Sequence, residues 1–216
     1  MMPHLTQIKE TKKGRLALFL DGEFAFSLDA DTFARAALHE GDDLEPWQAE
    51  DLRKQSETRR ALDKAMDYLA LRDHAAGELY QKLCRKFDAP SAAWAVARAG
   101  ELGLLDDAGF ARRRAAELLR KRKSRREILQ DLAAKGVDRD TAADAVEALF
   151  AAADGDAPDP ELENACALLT RQYAAKLAAG KRDQVAAALA RRGFSHAVIR
   201  AALTACAQGP DPDTDT

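Results

Sequence analysis

Hydrophobic and polar residues alternate with a period near two in only one part of the chain, residues 5–28. Two short apolar segments there flank Asp21-Gly22, a pair typical of a two-residue hairpin loop. The pattern predicts a three-stranded β-meander. A sheet this small needs a cover on its apolar face. We expect the following helix to supply it through Phe33, Ala37 and Leu38.

A second helix is predicted to start within residues 42–46, where acidic residues precede Pro46. Trp47 and Leu52 are expected on its buried side. Trp94, Tyr68 and Tyr80 also occupy apolar helical positions, so we expect them to pack rather than bind a ligand.

From residue 58 onward the period is helical and the pattern repeats three times. The segments 77–87, 126–137 and 183–194 each place an apolar residue four positions before a leucine. Gly136 and Gly193 stand where a helix would end in a left-handed residue. One amphipathic helix precedes and another follows each segment, which predicts a unit of three short helices.

The predicted fold is mainly α, with tandem three-helix repeats forming an elongated array after a small N-terminal β-meander and helix. The predicted divisions are an extension at 1–57, repeats at 58–107, 108–153 and 161–207, a linker at 154–160 and a disordered tail at 208–216.

Three helix starts are marked by capping residues. Ser124 and Glu127 have the spacing of a capping box, and Ser195 lies between the apolar pair of a hydrophobic staple. Asp107 is expected to cap a helix that begins near Ala108.

Composition agrees with a helical fold. Of 216 residues, 47% are hydrophobic and only 6% aromatic, which disfavours a β-sandwich or barrel. The net charge is −3, but residues 58–153 carry +4 while the segments before and after them carry −5 and −2. The middle of the chain is therefore its basic part.

The sequence gives little support for an enzyme or a metal-binding protein. The three cysteines lie far apart, the four histidines have no recognisable catalytic neighbours, and no phosphate-binding glycine loop is present. We expect no cofactor, no metal site and no enzymatic activity. With no apparent secretory signal or membrane span, a cytoplasmic monomer is predicted.

The strongest chemical feature is residues 112–126, with nine cations against one acid, Glu117. Cations at this density repel one another unless an anionic partner is bound. The candidate binding residues are Arg112, Arg113, Arg120, Lys121, Arg122, Lys123, Arg125 and Arg126. A merely solvated charged helix is the other interpretation, although it would usually contain more acids. Arg191 and Arg192 could extend the surface or simply face the helix dipole.

The chain resembles the RecX family, regulators of the RecA recombinase, in three segments: YLALRDHAAGELYQKL at 68–83, LGLLDDAGFARRRAAE at 102–117 and LARRGFSHAVIRAAL at 189–203. It departs from the family at Ala75, where a small hydroxyl residue is usual before Glu78.

The resemblance implies a regulator that binds the RecA filament on single-stranded DNA and inhibits its ATPase, recombinase and coprotease activities. Such a protein would modulate recombination, DNA repair and the SOS response. A helical module that binds nucleic acid directly, without RecA, is the alternative. Weak direct DNA binding is compatible with either.

Overall fold

The computed structural model describes residues 2–151 and 159–208, and the chain divides into two compact units, Met1–Leu105 and Asp106–Thr216. Within the described ranges the protein is mainly helical, with one small sheet at the N-terminus. None of the helices in these ranges is both long and apolar enough to cross a membrane.

The first unit begins with the predicted β-meander. Strands β1 (Leu5–Glu10), β2 (Leu16–Leu20) and β3 (Glu23–Leu28) pair antiparallel in that order. Asp21 and Gly22 have φ angles of 51° and 87°. Two successive positive φ angles match the twist of the flanking strands, which confirms the predicted hairpin.

The segment that begins with helix α1 (Ala30–Ala36) covers the sheet, but only two of the three predicted residues pack against it. Leu38 is buried in the core beneath the sheet, and Phe33 packs against it. Ala37 is exposed in a left-handed conformation, so its predicted packing role is wrong. The helix has already ended at this residue, which turns its Cβ away from the sheet.

Helix α2 (Pro46–Leu71) begins where expected and buries Leu52. The prediction for Trp47 is wrong, because 67% of this side chain is exposed. Five helical positions separate the two residues, about 140° around the axis, so both cannot share one buried stripe. The helix also runs without a break through the boundary predicted between residues 57 and 58.

Helices α3 (Ala76–Leu83) and α4 (Ala89–Glu101) pack with α2 around a core of leucines and alanines. Tyr68 and Tyr80 are half-buried against this core, as predicted. Trp94 is 47% exposed, contrary to prediction. Alanines 92, 95 and 99 form the buried stripe of α4, and residue 94 lies outside it.

The described residues of the second unit form eight elements in two groups. The first group comprises α5 (Asp107–Arg120), α6 (Arg125–Ala134) and α7 (Arg139–Ala151). The second comprises α8 (Pro160–Leu168), a π-helical turn (Leu169–Tyr173), α9 (Ala174–Ala178), α10 (Arg182–Arg191) and α11 (His196–Gln208).

Positive φ angles of 73° at Gly136 and 88° at Gly193 confirm the predicted left-handed residues. The order of the helices confirms the tandem three-helix architecture, although the π-helical turn divides the first helix of the last group. The finer residue boundaries of the repeats stay a prediction.

Two of the three predicted helix starts are confirmed. The hydroxyl of Ser124 accepts the Glu127 backbone N–H at 3.2 Å, and Glu127 accepts the Ser124 N–H at 3.3 Å. Ser195 accepts the N–H of Val198. The Asp107 prediction is wrong by one residue, because Asp106 accepts the N–H of Gly109 at 2.8 Å and Asp107 begins the helix.

The predicted linker and tail fall mostly outside the described residues. Residues 154–158 and 209–216 are not described, whereas Pro160 is the first residue of α8 and Gln208 the last of α11. Asp159 caps α8 by accepting the N–H of Glu161 at 2.8 Å.

Candidate functional site

The predicted basic residues lie on α5, on α6 and on the turn between them. Helix α5 turns Phe110, Ala111, Ala115 and Leu118 into the core, which leaves the opposite side to cations. The exposed members are Arg112, Arg113, Arg120, Lys121, Arg125 and Arg126, and the half-buried members are Arg122 and Lys123. At the end of α10, Arg191 is exposed and Arg192 is half-buried.

Arg114, which the sequence did not single out, is the structural cation of this segment. Its guanidinium donates to both carboxylate oxygens of Asp131 on α6, at 2.7 and 2.9 Å, and to Glu117 at 2.9 Å. The hydrogen bonds to Asp131 are the main cause of a raised Arg114 pKa. A bidentate pair of this kind fixes α5 against α6.

Two lysines are also partnered. Lys121 donates to Glu117, and Lys123 donates to Glu127 at 2.9 Å. Besides Glu117, the only acid within residues 112–126, helix α6 supplies Glu127 and Asp131 as partners for these cations. The lysines of both pairs are in contact with solvent, so each pair contributes little stability. Their effect is to lower the local charge.

The remaining arginines form what we call the basic surface: Arg112, Arg120, Arg122, Arg126 and Arg191. Across the described residues, none of these five has a carboxylate within 4.0 Å. Arginine stays charged at every physiological pH and offers a planar fork of donors that matches phosphate. This surface is therefore suited to an anion.

A hydrogen bond between distant parts of the chain joins the two predicted basic groups. Ser124 is fully buried, and its hydroxyl donates to the carbonyl oxygen of Arg192 at 2.7 Å. A Cβ on Gly193 would lie 2.8 Å from this hydroxyl and 3.1 Å from the Cβ of Arg126. The end of α10 thus lies directly against the α5–α6 turn.

Two further arginines of the prediction lie over aromatic rings. The guanidinium carbon of Arg125 is 5.1 Å from the centre of the Phe150 ring. That of Arg192 is 5.8 Å from the Tyr173 ring, and its Nη2 donates to Gln172 at 2.8 Å. Cation–π contacts restrain both side chains beside the basic surface.

Two side chains of α8, one acidic and one an amide, accept or donate hydrogen bonds at the α5–α6 turn. The backbone N–H of Arg125 donates to the buried Glu161 carboxylate at 3.0 Å, and burial raises the pKa of Glu161. The Asn164 amide donates to the carbonyl of Leu119 at 3.0 Å. No sequence spacing indicated these contacts, because they join residues about forty positions apart.

The arrangement offers charge and donors rather than reactive groups. Within the described residues, no group of three or more His, Cys, Asp or Glu side chains could hold a metal ion. The basic surface can bind phosphate or carboxylate groups and orient a chain that carries several of them.

Comparison with known proteins agrees with the repeats. The RecX first three-helix domain matches residues 61–98, and the RecX second three-helix domain matches residues 106–146. These matches cover α2 to α4 and α5 to α7.

Curated relatives carry the same name over longer stretches. The regulatory protein RecX of Bacillus subtilis (strain 168) is 30% identical over 222 aligned positions, covering 99% of this chain and 81% of the relative. That of Lactobacillus johnsonii is 34% identical over 148 positions, covering 67% of this chain and 55% of the relative.

Two solved structures share the fold. A crystal structure of regulatory protein RecX has a TM-score of 0.66 and 20% identity, covering 92% of this chain and 98% of the other. The crystal structure of RecX from Lactobacillus salivarius has a TM-score of 0.57 and 19% identity, covering 70% and 97%. Sequence and fold together show that the chain belongs to the RecX family of regulatory proteins.

Proposed function

We propose that this protein is a non-enzymatic regulator that binds the RecA filament on single-stranded DNA and inhibits its ATPase, recombinase and coprotease activities. Family membership supports a regulatory role directed at RecA. The observation that carries the binding mode is the basic surface, five arginines without a carboxylate partner in the described part of the chain.

The basic surface would contribute long-range attraction to the filament. Single-stranded DNA carries one negative charge per nucleotide, and each phosphate neutralised releases a counterion. Arg125 and Arg192, restrained over their aromatic rings, lie at the margin of the surface and would add short-range contacts. Affinity for the filament should therefore fall steeply with salt.

The test is the ATPase rate of RecA on single-stranded DNA as the purified protein is titrated in at several salt concentrations. The variant replaces Arg112, Arg120, Arg126 and Arg191 by Gln. It should need a higher concentration for half-inhibition, and this concentration should depend less on salt, because fewer counterions are released.

A matched control removes four exposed cations from the first unit, replacing Lys12, Lys13, Arg85 and Lys86 by Gln. Both variants lose the same total charge. If inhibition by the two variants changes equally, global charge rather than the basic surface governs binding. If the native chain leaves the ATPase unaffected at a several-fold excess over RecA, the proposed function is wrong.

Direct nucleic-acid binding is the second candidate, because unpaired arginines suit phosphates whether or not a recombinase is present. Fluorescence anisotropy of labelled single-stranded DNA, measured with and without RecA, separates the two. Tight binding to bare DNA combined with no effect on RecA would favour the second function.

The remaining features of the proposal are cytoplasmic location and a monomeric state. Light scattering at the concentrations used for inhibition measures the latter, and a mass near 23.5 kDa is expected.

A further inference from the structure

Two cysteines distant in sequence are neighbours in the last group of helices. Cys166 lies on α8 and Cys206 on α11, and both are free and half-buried. Both side chains pack against the same hydrophobic core, which lies between the contacting helices α8 and α11. The third cysteine, Cys84, is exposed on the other unit.

Small residues bring the two helices close at this point. Ala165 and Ala202 are fully buried in the core that α8 and α11 share. Cys166 follows Ala165 directly, and Cys206 lies one helical turn beyond Ala202. Disulfides require Cα atoms within about 7 Å of each other, a separation that close packing of small residues favours.

One of the two thiols is open to small molecules. Cys206 lines a cavity of about 290 Å³ together with Leu177, Ala178, Arg182 and Leu203. The guanidinium of Arg182 is held at this cavity by donating to the Leu203 carbonyl at 3.0 Å. A fixed cation attracts polar oxidants to this cavity.

We expect the Cys166 thiol to react only after Cys206 has been oxidised. Burial, and to a lesser extent the neighbouring Cys206, raises the pKa of Cys166, so its thiol is less reactive toward external oxidants. It remains within reach of an oxidised Cys206.

We propose that Cys166 and Cys206 form a reversible intramolecular disulfide when the protein meets a hydroperoxide. The Cys206 thiol gives up its proton and its sulfur attacks one peroxide oxygen. The O–O bond breaks, a sulfenic acid forms, and the departing hydroxide or alkoxide takes up that proton and leaves as water or an alcohol. The sulfur of Cys166 then attacks the Cys206 sulfur. The S–O bond breaks, the S–S bond forms, and the departing hydroxide takes the Cys166 proton as water.

The disulfide would fasten α8 to α11 and close a loop of about forty residues. Because a cross-link restricts the unfolded chain, oxidation should raise the melting temperature of the last helices. Reduction by a dithiol reverses both changes. The disulfide uses none of the arginines of the basic surface and does not depend on the proposed function.

The test uses the full chain with Cys84→Ser, which removes the exposed thiol and leaves the pair. Treatment with hydrogen peroxide should lower the mass by two hydrogen atoms and reduce the titratable thiols of the denatured chain from two to none. Trypsin should release residues 140–171 joined to residues 201–216. A dithiol should restore the mass.

The matched control carries Cys84→Ser and Cys206→Ser, and it should keep one free thiol after the same treatment. The native chain, mapped by trypsin after oxidation, provides a check free of substitutions. The proposal is overturned if Cys206 gains oxygen atoms without losing the two hydrogens. It is equally overturned if the cross-links join separate molecules or involve only Cys84.

Discussion

Two buried ionisable side chains show how single residues respond to their surroundings. Glu161 is 9% exposed and caps α6 through the Arg125 N–H, so its carboxylate has one strong donor but little water. Burial raises its pKa, and the nearby Asp159 adds to the shift. His74 is 3% exposed, and burial lowers its pKa, with Arg72 and Lys82 adding to the effect.

Replacing Glu161 by Gln tests whether burial raises the pKa of this carboxyl group. A raised folded-state pKa means that the carboxyl group stabilises the fold below its unfolded pKa and loses this contribution as pH rises through the folded pKa. Relative to E161Q, the native chain should lose unfolding free energy as the pH rises from about 4 towards neutrality. Urea unfolding at several pH values measures the difference. A difference that stays constant with pH would contradict the assignment.

His74 is expected to be neutral, with a defined tautomer. The Lys82 ammonium lies 2.8 Å from Nε2 and can only donate, so Nδ1 carries the proton and donates to the Arg72 carbonyl at 2.9 Å. A lowered pKa contributes stability above the unfolded value of about 6.5. This contribution is lost as pH falls through the folded pKa.

Lys82→Met should raise the His74 pKa, because a nearby cation is removed. It should leave that pKa below its ordinary value, because burial is the larger cause. NMR titration of the imidazole Cε1 proton measures the shift. Lys86→Met, at an exposed position of the same segment, is the control and should leave the titration unchanged. Equal effects of the two substitutions would show that the Lys82 contact is not maintained in solution.

At the scale of elements, helix ends are held by groups from other helices. Ser124 caps its own helix and also donates to the Arg192 carbonyl at the end of α10. Ser195 caps α11 through Val198, with no second contact to another helix among the described residues. The two serines therefore allow the tertiary contact to be separated from the local cap.

Ser124→Ala should lower the unfolding free energy by about 2 kcal/mol, of which roughly half comes from the cap and half from the Arg192 bond. Ser195→Ala should lower it by about 1 kcal/mol, because only a cap is lost. Chemical denaturation of both variants provides the comparison. Equal losses would indicate that the bond between the α5–α6 turn and α10 contributes nothing.

For the whole molecule, the distribution of charge matters more than its sum. The chain has a net charge of −3, yet five arginines of the second unit lack acidic partners in the described structure. Long-range attraction depends on where cations cluster, so an acidic protein can still approach a polyanion with one face.

Substituting Lys for Arg112, Arg120, Arg126 and Arg191 distinguishes charge from geometry. The salt dependence of RecA inhibition should be retained, because the number of released counterions is unchanged. Inhibition at low salt should weaken only several-fold, since lysine lacks the planar fork of arginine. A salt dependence as shallow as that of the glutamine variant would contradict a charge-based role. Titrating the variant against the RecA ATPase at several salt concentrations measures both the salt dependence and the inhibition at low salt.

Much of the local structure was predictable because it depends on neighbours in sequence. The hairpin at Asp21-Gly22, the capping box at Ser124 and the left-handed Gly193 each follow from residues within a few positions of one another. The predictions for Trp47 and Trp94 failed because a large apolar residue was assumed to be buried, whereas the buried stripes are set by smaller residues.

The candidate site was predictable only as a list of cations. Sequence density identified residues 112–126, but Arg114 proved to be a structural ion pair and Lys121 and Lys123 to be partnered. Those partners lie on another helix or one turn away, and their contacts depend on side-chain direction. The two lysine pairs have the i,i+4 spacing that a sequence can indicate, whereas the Arg114–Asp131 pair joins two helices and is not specified by pattern or composition.

The amino-acid sequence by itself determined the helical repeats, the N-terminal meander, the basic character of the middle segment and the family, because each depends on local order along the chain. Only the tertiary structure decided which arginines remain unpaired, that the end of α10 meets the α5–α6 turn, and that Cys166 and Cys206 are neighbours. These features join residues about forty to seventy positions apart. Their proximity follows from packing of the helices around a shared core, which no local pattern specifies.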